Sequence, residues 1–425
     1  MSVQVSELAG GLRVVTHRME TVQTVSLGVW VHVGTRFEAA EANGVSHLLE
    51  HMAFKGTERR DARAIAEEIE AVGGHLNAYT SREITAYHAT VLKEDVALGI
   101  DIITDILQNP VFDETELGRE RAVVLQEIGQ TQDTPDDIVF DRFQETAFPG
   151  QPMGWPVLGP PEIVAAMPAE VLRTYMKTHY TAPRMVVAAA GNLDHDAVVR
   201  LVEQGFAGLG DGRDGATPAP ARYIGGDQRE QRELEQVHLL IGFEGFAYDD
   251  DDYYAAQVMS VLLGGGMSSR LFQEIREKRG LAYSIYSFNS AYMDSGLFGI
   301  YSGTGEEEVA ELVPALCAEV VRAASGIEQP ELMRAQAQLR AGLLMSLEST
   351  ASRAEQLARQ LLVGGRPLPL EEIIGRIEAV DVAAVERTVH RILASRPTVT
   401  AIGPLGRLEG FDDVAARLDP GSSPG

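Results

Sequence analysis

The 425-residue chain is long enough to bury two sizeable cores, and its 62 acidic against 36 basic residues leave a formal net charge of −26. That excess sets nucleic acid aside as a partner and suits basic peptides or plain solubility, while one cysteine, Cys317, rules out an internal disulfide framework and fits a reducing compartment. No apolar run reaches the roughly 18 residues of a membrane helix, and the first residues carry neither a signal nor a transit pattern, so a cytoplasmic protein with no membrane partner is expected.

Taken in order, residues 12–16 and 24–33 are rich in β-branched side chains and predict paired strands. Residues 43–56 predict a helix capped by Asn43 and stopped by Gly56. On it His47 and His51 stand at i and i+4 with Glu50 beside them, while Leu48, Leu49 and Met52 fall to the other side as a core anchor. Residues 61–72 form a second helix ended by Gly73 and Gly74, and residues 75–92 read as extended chain with a turn near Ser81, Arg82 and Glu83. Helices over 96–107 and 113–130 follow, the latter holding Glu116, Glu120 and Glu127. Residues 155–161 are irregular, and helix 168–180, a buried strand at 185–190 and helix 194–204 complete the first half. Between 208 and 226 the composition shifts to Gly, Asp, Ala and Pro, as in an exposed linker.

The pattern then repeats. Strand 237–243 matches 24–33, helix 253–263 takes the place of the histidine helix, extended chain 282–301 matches 75–91, and helix 306–324 matches 96–107. An offset of roughly 210 residues marks a tandem duplication. The expected architecture is α+β, with two similar domains that are each a mostly antiparallel sheet packed with helices. Residues 1–210 form the metal-bearing domain, 211–226 a linker, and 227–425 a second domain without the His-x-x-Glu-His pattern.

A catalytic zinc typically takes three protein ligands and leaves a fourth position for water. His47 and His51 supply two. Glu127 is the candidate third, and Glu120, seven residues earlier on the same helix face, would accept the other ring N–H of a histidine ligand. Glu50 would take the proton of the metal-activated water and pass it to the leaving amine. The plainer reading is two satisfied histidines on an ordinary amphipathic helix. A structural zinc site is disfavoured because such sites are cysteine-rich.

His47-Leu48-Leu49-Glu50-His51, the following Met52-Ala53-Phe54-Lys55-Gly56-Thr57, and Glu120 with Glu127 together resemble the inverted zinc signature of the pitrilysin/insulinase family of metalloendopeptidases, most of all its processing peptidase branch. The resemblance covers nearly the whole chain, duplication included. It implies one zinc per chain on His47, His51 and Glu127, Glu120 in support, and hydrolysis of peptides or unfolded protein segments. It also implies that 73–80 is an edge strand on which substrate is laid, with Asn77 and Ala78 as contacts, the physical logic being strand addition to a sheet edge.

In the second half the resemblance makes Gly264, Gly265 and Gly266 a substrate-contacting loop. Arg276 and Tyr283 become hydrogen-bond donors to the bound peptide or the developing oxyanion, with Arg279 as the rival of Arg276. By residue chemistry alone that glycine run is either a weak phosphate cradle or a helix C-cap. Because both motifs lie on one chain, a homodimer closing around its substrate is implied. Some relatives keep the architecture without catalysis, so a structural core subunit is the alternative function.

Overall fold

Residues 185–191 are apolar throughout, the pattern of a strand buried on both faces, and in the computed structural model, which describes residues 3–210, 212 and 217–419, they form an inner strand. The first sheet comprises β1 (Val3–Glu7), β2 (Arg13–Arg18), β3 (Thr24–Val31), β4 (His75–Thr80), β5 (Thr85–Leu92) and β6 (Met185–Gly191), ordered β1-β2-β6-β3-β5-β4. The second comprises β7 (Gly226–Gln231), β8 (Val237–Glu244), β9 (Ser284–Ala291), β10 (Gly296–Thr304) and β11 (Thr398–Gly403), ordered β7-β11-β8-β10-β9. Each sheet is antiparallel except for one pair, β2 with β6 and β7 with β11. The α+β class and the repeated half are therefore as expected. The strands at 12–16 and 24–33 are not paired with each other, because β6 lies between them and bonds to both.

The helices of the first half include α1 (Val45–Ala53), α2 (Ala62–Ala71), α3 (Val96–Gln108), α4 (Glu114–Gln132) and α5 (Pro135–Ala147). One face of the first sheet buries Leu27, Val29, Tyr87 and Val91 against Leu48, Leu49 and Met52 of α1 and Ile103 and Ile106 of α3. The other face, with Trp30, Ala86, Val186 and Ala188, is covered by Ala354, Leu357, Ala358 and Leu361 of the helix Thr350–Gly364. In the second sheet, Leu240, Leu297 and Ile402 are covered in the same way by Val139, Phe143 and Ala147 of α5. A sheet with two apolar faces needs two covering layers. Here the second layer comes from the opposite half of the sequence.

The packing units accordingly do not follow the halves 1–210 and 227–425. One unit contains Met1–Gly129, Trp155–Ala219 and Leu344–Pro367, and the other Gln130–Gly154, Pro220–Leu343 and Leu368–Gly425. Of the expected linker at 211–226, residues 211 and 213–216 lie outside the described residues. Residues 217–225 carry no helix or strand, and Tyr223 ties that stretch to the second unit by donating to the Arg396 carbonyl at 2.8 Å. Among the described residues no helix is long and apolar enough to cross a membrane.

The helix Tyr253–Gly264, which follows β8 as α1 follows β3 and its connecting loop, is apolar on nearly every side. Ala255, Val258, Met259 and Leu263 are all buried, so this helix has no polar face on which ligands could stand. Among the described residues one cluster of metal-ligating side chains exists, and it belongs to the first unit.

Candidate metal centre

The site begins with how α1 is held. Gly44, at φ +97°, precedes the first helical residue, and a Cβ there would meet the Leu158 carbonyl oxygen at 2.9 Å. Asn43 does not cap the helix as its side chain predicts. Its Nδ2 donates to Glu38 Oε2 at 2.7 Å, and Glu38 does the capping, accepting from Gly44 N and Ser46 N at 2.8 Å each. Burial pushes the Glu38 carboxyl above its ordinary range, and these three donors oppose that shift. A carboxylate at this end also faces the positive end of the helix dipole. Glu38→Ala is therefore expected to lower the unfolding free energy by about 2–3 kcal/mol, since it leaves buried donors unpaired. An unchanged urea midpoint would remove Glu38 as the anchor.

With α1 so fixed, Leu48, Leu49 and Met52 are sealed in the core, and His47 and His51 emerge on the opposite face. On α4, Leu117, Val124 and Ile128 are buried, and Glu120 and Glu127 share their side of the helix. Glu127 Oε2 lies 3.8 Å from His47 Nε2 and 3.5 Å from His51 Nε2, and the three ligand atoms fall within 4.8 Å of one another. Tetrahedral zinc with bonds of about 2.0–2.1 Å sets its ligand atoms about 3.3–3.4 Å apart; the two Glu127 contacts lie near that spacing, and two imidazoles with one carboxylate are a donor set that suits such an ion. Burial, with His51 adding to it, brings the His47 pKa down to about 4, which leaves that imidazole neutral, as a ligand must be.

Glu120 is nearly buried, and its Oε2 accepts from His51 Nδ1 at 3.0 Å. His51 then presents Nε2 to the cluster. His47 Nδ1 is buried with no hydrogen-bond partner among the described residues, so the two imidazoles are supported unequally.

Glu50 contributes no ligand atom to the trio. Its Oε2 accepts a 2.6 Å hydrogen bond from Thr80 Oγ1, and burial raises its pKa against that bond. Thr80 ends β4, the outer strand of the sheet, which also carries Asn77 and Ala78. The Ala78 N–H is taken up by Asn77 Oδ1 at 2.8 Å. The Thr80 and Glu38 contacts join segments whose meeting no local spacing announces.

In the second unit Gly264 closes the helix Tyr253–Gly264, and Gly265 is its C-cap. Gly264 and Gly265 thus stand at a helix C-terminus, where carbonyls rather than N–H groups point outward, which is the C-cap alternative; the next helical residues begin at Arg270. A Cβ on Gly264 would meet Ser287 N at 2.3 Å, which is why the helix can end so close to β9. Arg276 lies over the rings of Phe272 at 4.8 Å and of Tyr283 at 5.3 Å. Arg279 is instead engaged by Glu274 and Glu311. Just before the helix Tyr253–Gly264, Asp250 and Asp252 pair with Arg391, and Asp252 with Arg387.

Comparison with known proteins finds two family models along the chain. The family model described as insulinase (peptidase family M16) matches residues 13–161, and the M16 inactive domain matches residues 166–339. The chain is 40% identical to an uncharacterised zinc protease of Rickettsia felis over 96% of this chain and 98% of that protein. It is 39% identical to a probable mitochondrial-processing peptidase subunit beta of Arabidopsis thaliana, over 97% of this chain and 81% of that protein. A protease from Helicobacter pylori superposes with a TM-score of 0.86 at 23% identity, covering 95% of this chain and 99% of that one. A chain of complex III2 from Candida albicans superposes with a TM-score of 0.87 at 21% identity, covering 98% and 100%. These two structural likenesses concern the fold.

Proposed function

Because the chain belongs to the insulinase family, peptidase family M16, we propose that it is a zinc-dependent endopeptidase acting on peptides or unfolded protein segments. The observation that carries this reading is a His47, His51 and Glu127 trio whose ligand atoms lie within 4.8 Å of one another, with an additional carboxylate, Glu50, left outside it. A zinc ion held there would polarise the scissile carbonyl and acidify a water. Glu50 accepts a proton from the attacking water and returns it to the departing amine, and burial lifts its pKa toward the range such a base needs. Thr80 holds one Glu50 oxygen in place. Asn77 and Ala78 receive an extended peptide along the outer strand β4, where the Asn77 side chain must give up the Ala78 N–H. Arg276 and Tyr283 hydrogen-bond to bound peptide, with Gly264, Gly265 and Gly266 as the neighbouring contact. The ion pairs that engage Arg279 support Arg276 for this role.

The net charge of −26 supports basic substrates. The structural-subunit alternative has less support, because a non-catalytic scaffold has no need of His47, Glu50, His51 and Glu127 together. The proposal includes a homodimer in a reducing cytoplasm, in keeping with the single buried thiol of Cys317.

The purified chain is expected to carry zinc by elemental analysis, to cut a peptide library, and to stop when a chelator removes the metal. The same preparation is expected to run at dimer mass in light scattering. Cleavage that survives complete metal removal would refute the zinc mechanism.

A further inference from the structure

Glu120 faces two partners at once. One of its oxygens takes the His51 Nδ1 hydrogen bond at 3.0 Å, and the other lies 2.8 Å from Lys55 Nζ. Lys55 sits two residues beyond α1, in the turn where its backbone N–H still bonds to the Met52 carbonyl at 3.2 Å. The ligand histidine and the ammonium thus hang from one end of one helix and meet at a carboxylate brought in by α4. The Glu120 side chain is 8% exposed and that of Lys55 30%, so the pair is shielded on the carboxylate side while the ammonium keeps some water.

A carboxyl torsion is soft, with a broad two-fold profile, so one hydrogen bond does not fix its plane. A buried carboxylate held on one oxygen alone is also poorly compensated for its lost hydration. A cation on the far oxygen corrects both faults. It keeps the group an acceptor and pins its orientation, which in turn obliges His51 to donate from Nδ1 and present Nε2. Among the described residues His47 Nδ1 is buried without a partner, so the trio depends on the His51 side for its alignment.

We propose that Lys55 is a positioning residue for the metal: through Glu120 it holds His51 in ligating geometry and so sets how tightly the chain binds zinc. The inference rests on the zinc-site reading above, and its measurement is metal binding rather than turnover.

The test is the zinc dissociation constant of the full chain, read by competition with a fluorescent chelator. Lys55→Met, of similar length but uncharged, is expected to weaken zinc binding by about 10-fold, the lower end of what losing an outer partner costs. Lys55→Arg, which keeps the cation, is expected to restore most of that affinity. In a Glu120→Gln background, Lys55→Met is expected to add little further loss, because the path through which it acts is already cut. Matching far-ultraviolet circular dichroism and urea midpoints across the set exclude misfolding as the cause. A Lys55→Met dissociation constant within about twofold of the unmodified chain, or a full additional loss in the Glu120→Gln background, would overturn the role of Lys55 while leaving the zinc site standing. An unmodified chain that takes up no zinc would overturn both.

Discussion

Glu50→Gln is expected to lower peptide hydrolysis by roughly 10²- to 10⁴-fold, the usual contribution of a general acid–base group, while the zinc content stays that of the unmodified chain. The substitution is nearly isosteric, and its amide oxygen can still accept the Thr80 hydroxyl hydrogen that now holds Glu50 at 2.6 Å. What it loses is the capacity to take up a proton. Because Glu50 supplies none of the three ligand atoms, the metal has no reason to leave. The measurement is kcat on a quenched peptide together with zinc by elemental analysis. Unchanged turnover would remove Glu50 from the mechanism, and lost zinc would instead make it a ligand.

The parts of this site legible in the sequence are those whose geometry is set within one helix. His47, Glu50 and His51 have their relation fixed by a single turn of α1, and Glu120 and Glu127 theirs by two turns of α4. The turn between β4 and β5 is legible for the same reason, since it is built from adjacent residues. What was not legible depends on distant segments meeting. Asn43 carries a capping side chain, yet Glu38 takes the helix N–H groups and recruits Asn43 as a further donor. The strands at 12–16 and 24–33 look like neighbours in sequence, but β6, some 150 residues on, is the strand both prefer because it is apolar on each face. The exchange of α5 and the helix Thr350–Gly364 has the same origin: each amphipathic helix fits any apolar sheet face, and periodicity does not say which.

Glycine and arginine in the second half show another limit. The run Gly264, Gly265 and Gly266 satisfies the composition of a phosphate loop and of a C-cap alike, and its first two glycines finish the helix Tyr253–Gly264. Arg276 and Arg279 are three residues apart in a stretch with π-helical winding, so one faces the Tyr283 ring and the other Glu274 and Glu311.

The complementary substitution separates ligand from base. Glu127→Ala removes the oxygen that lies 3.5 Å and 3.8 Å from the two imidazole nitrogens and leaves a two-histidine site, one short of the protein ligands a catalytic zinc keeps. Loss of an outer partner already costs a metal site about 10- to 100-fold in affinity, and loss of a direct ligand is expected to exceed that. After dialysis Glu127→Ala should therefore hold far less zinc than the unmodified chain, with hydrolysis falling in step and recovering in part when excess zinc is added. Glu50→Gln should behave oppositely, keeping its metal and gaining nothing from added zinc. Glu127 is partly exposed on α4 and is not one of the buried residues of that helix, so the unfolding midpoint without metal should scarcely move, which separates a lost ligand from a damaged fold. A full zinc complement in Glu127→Ala by elemental analysis would show that another group completes the site.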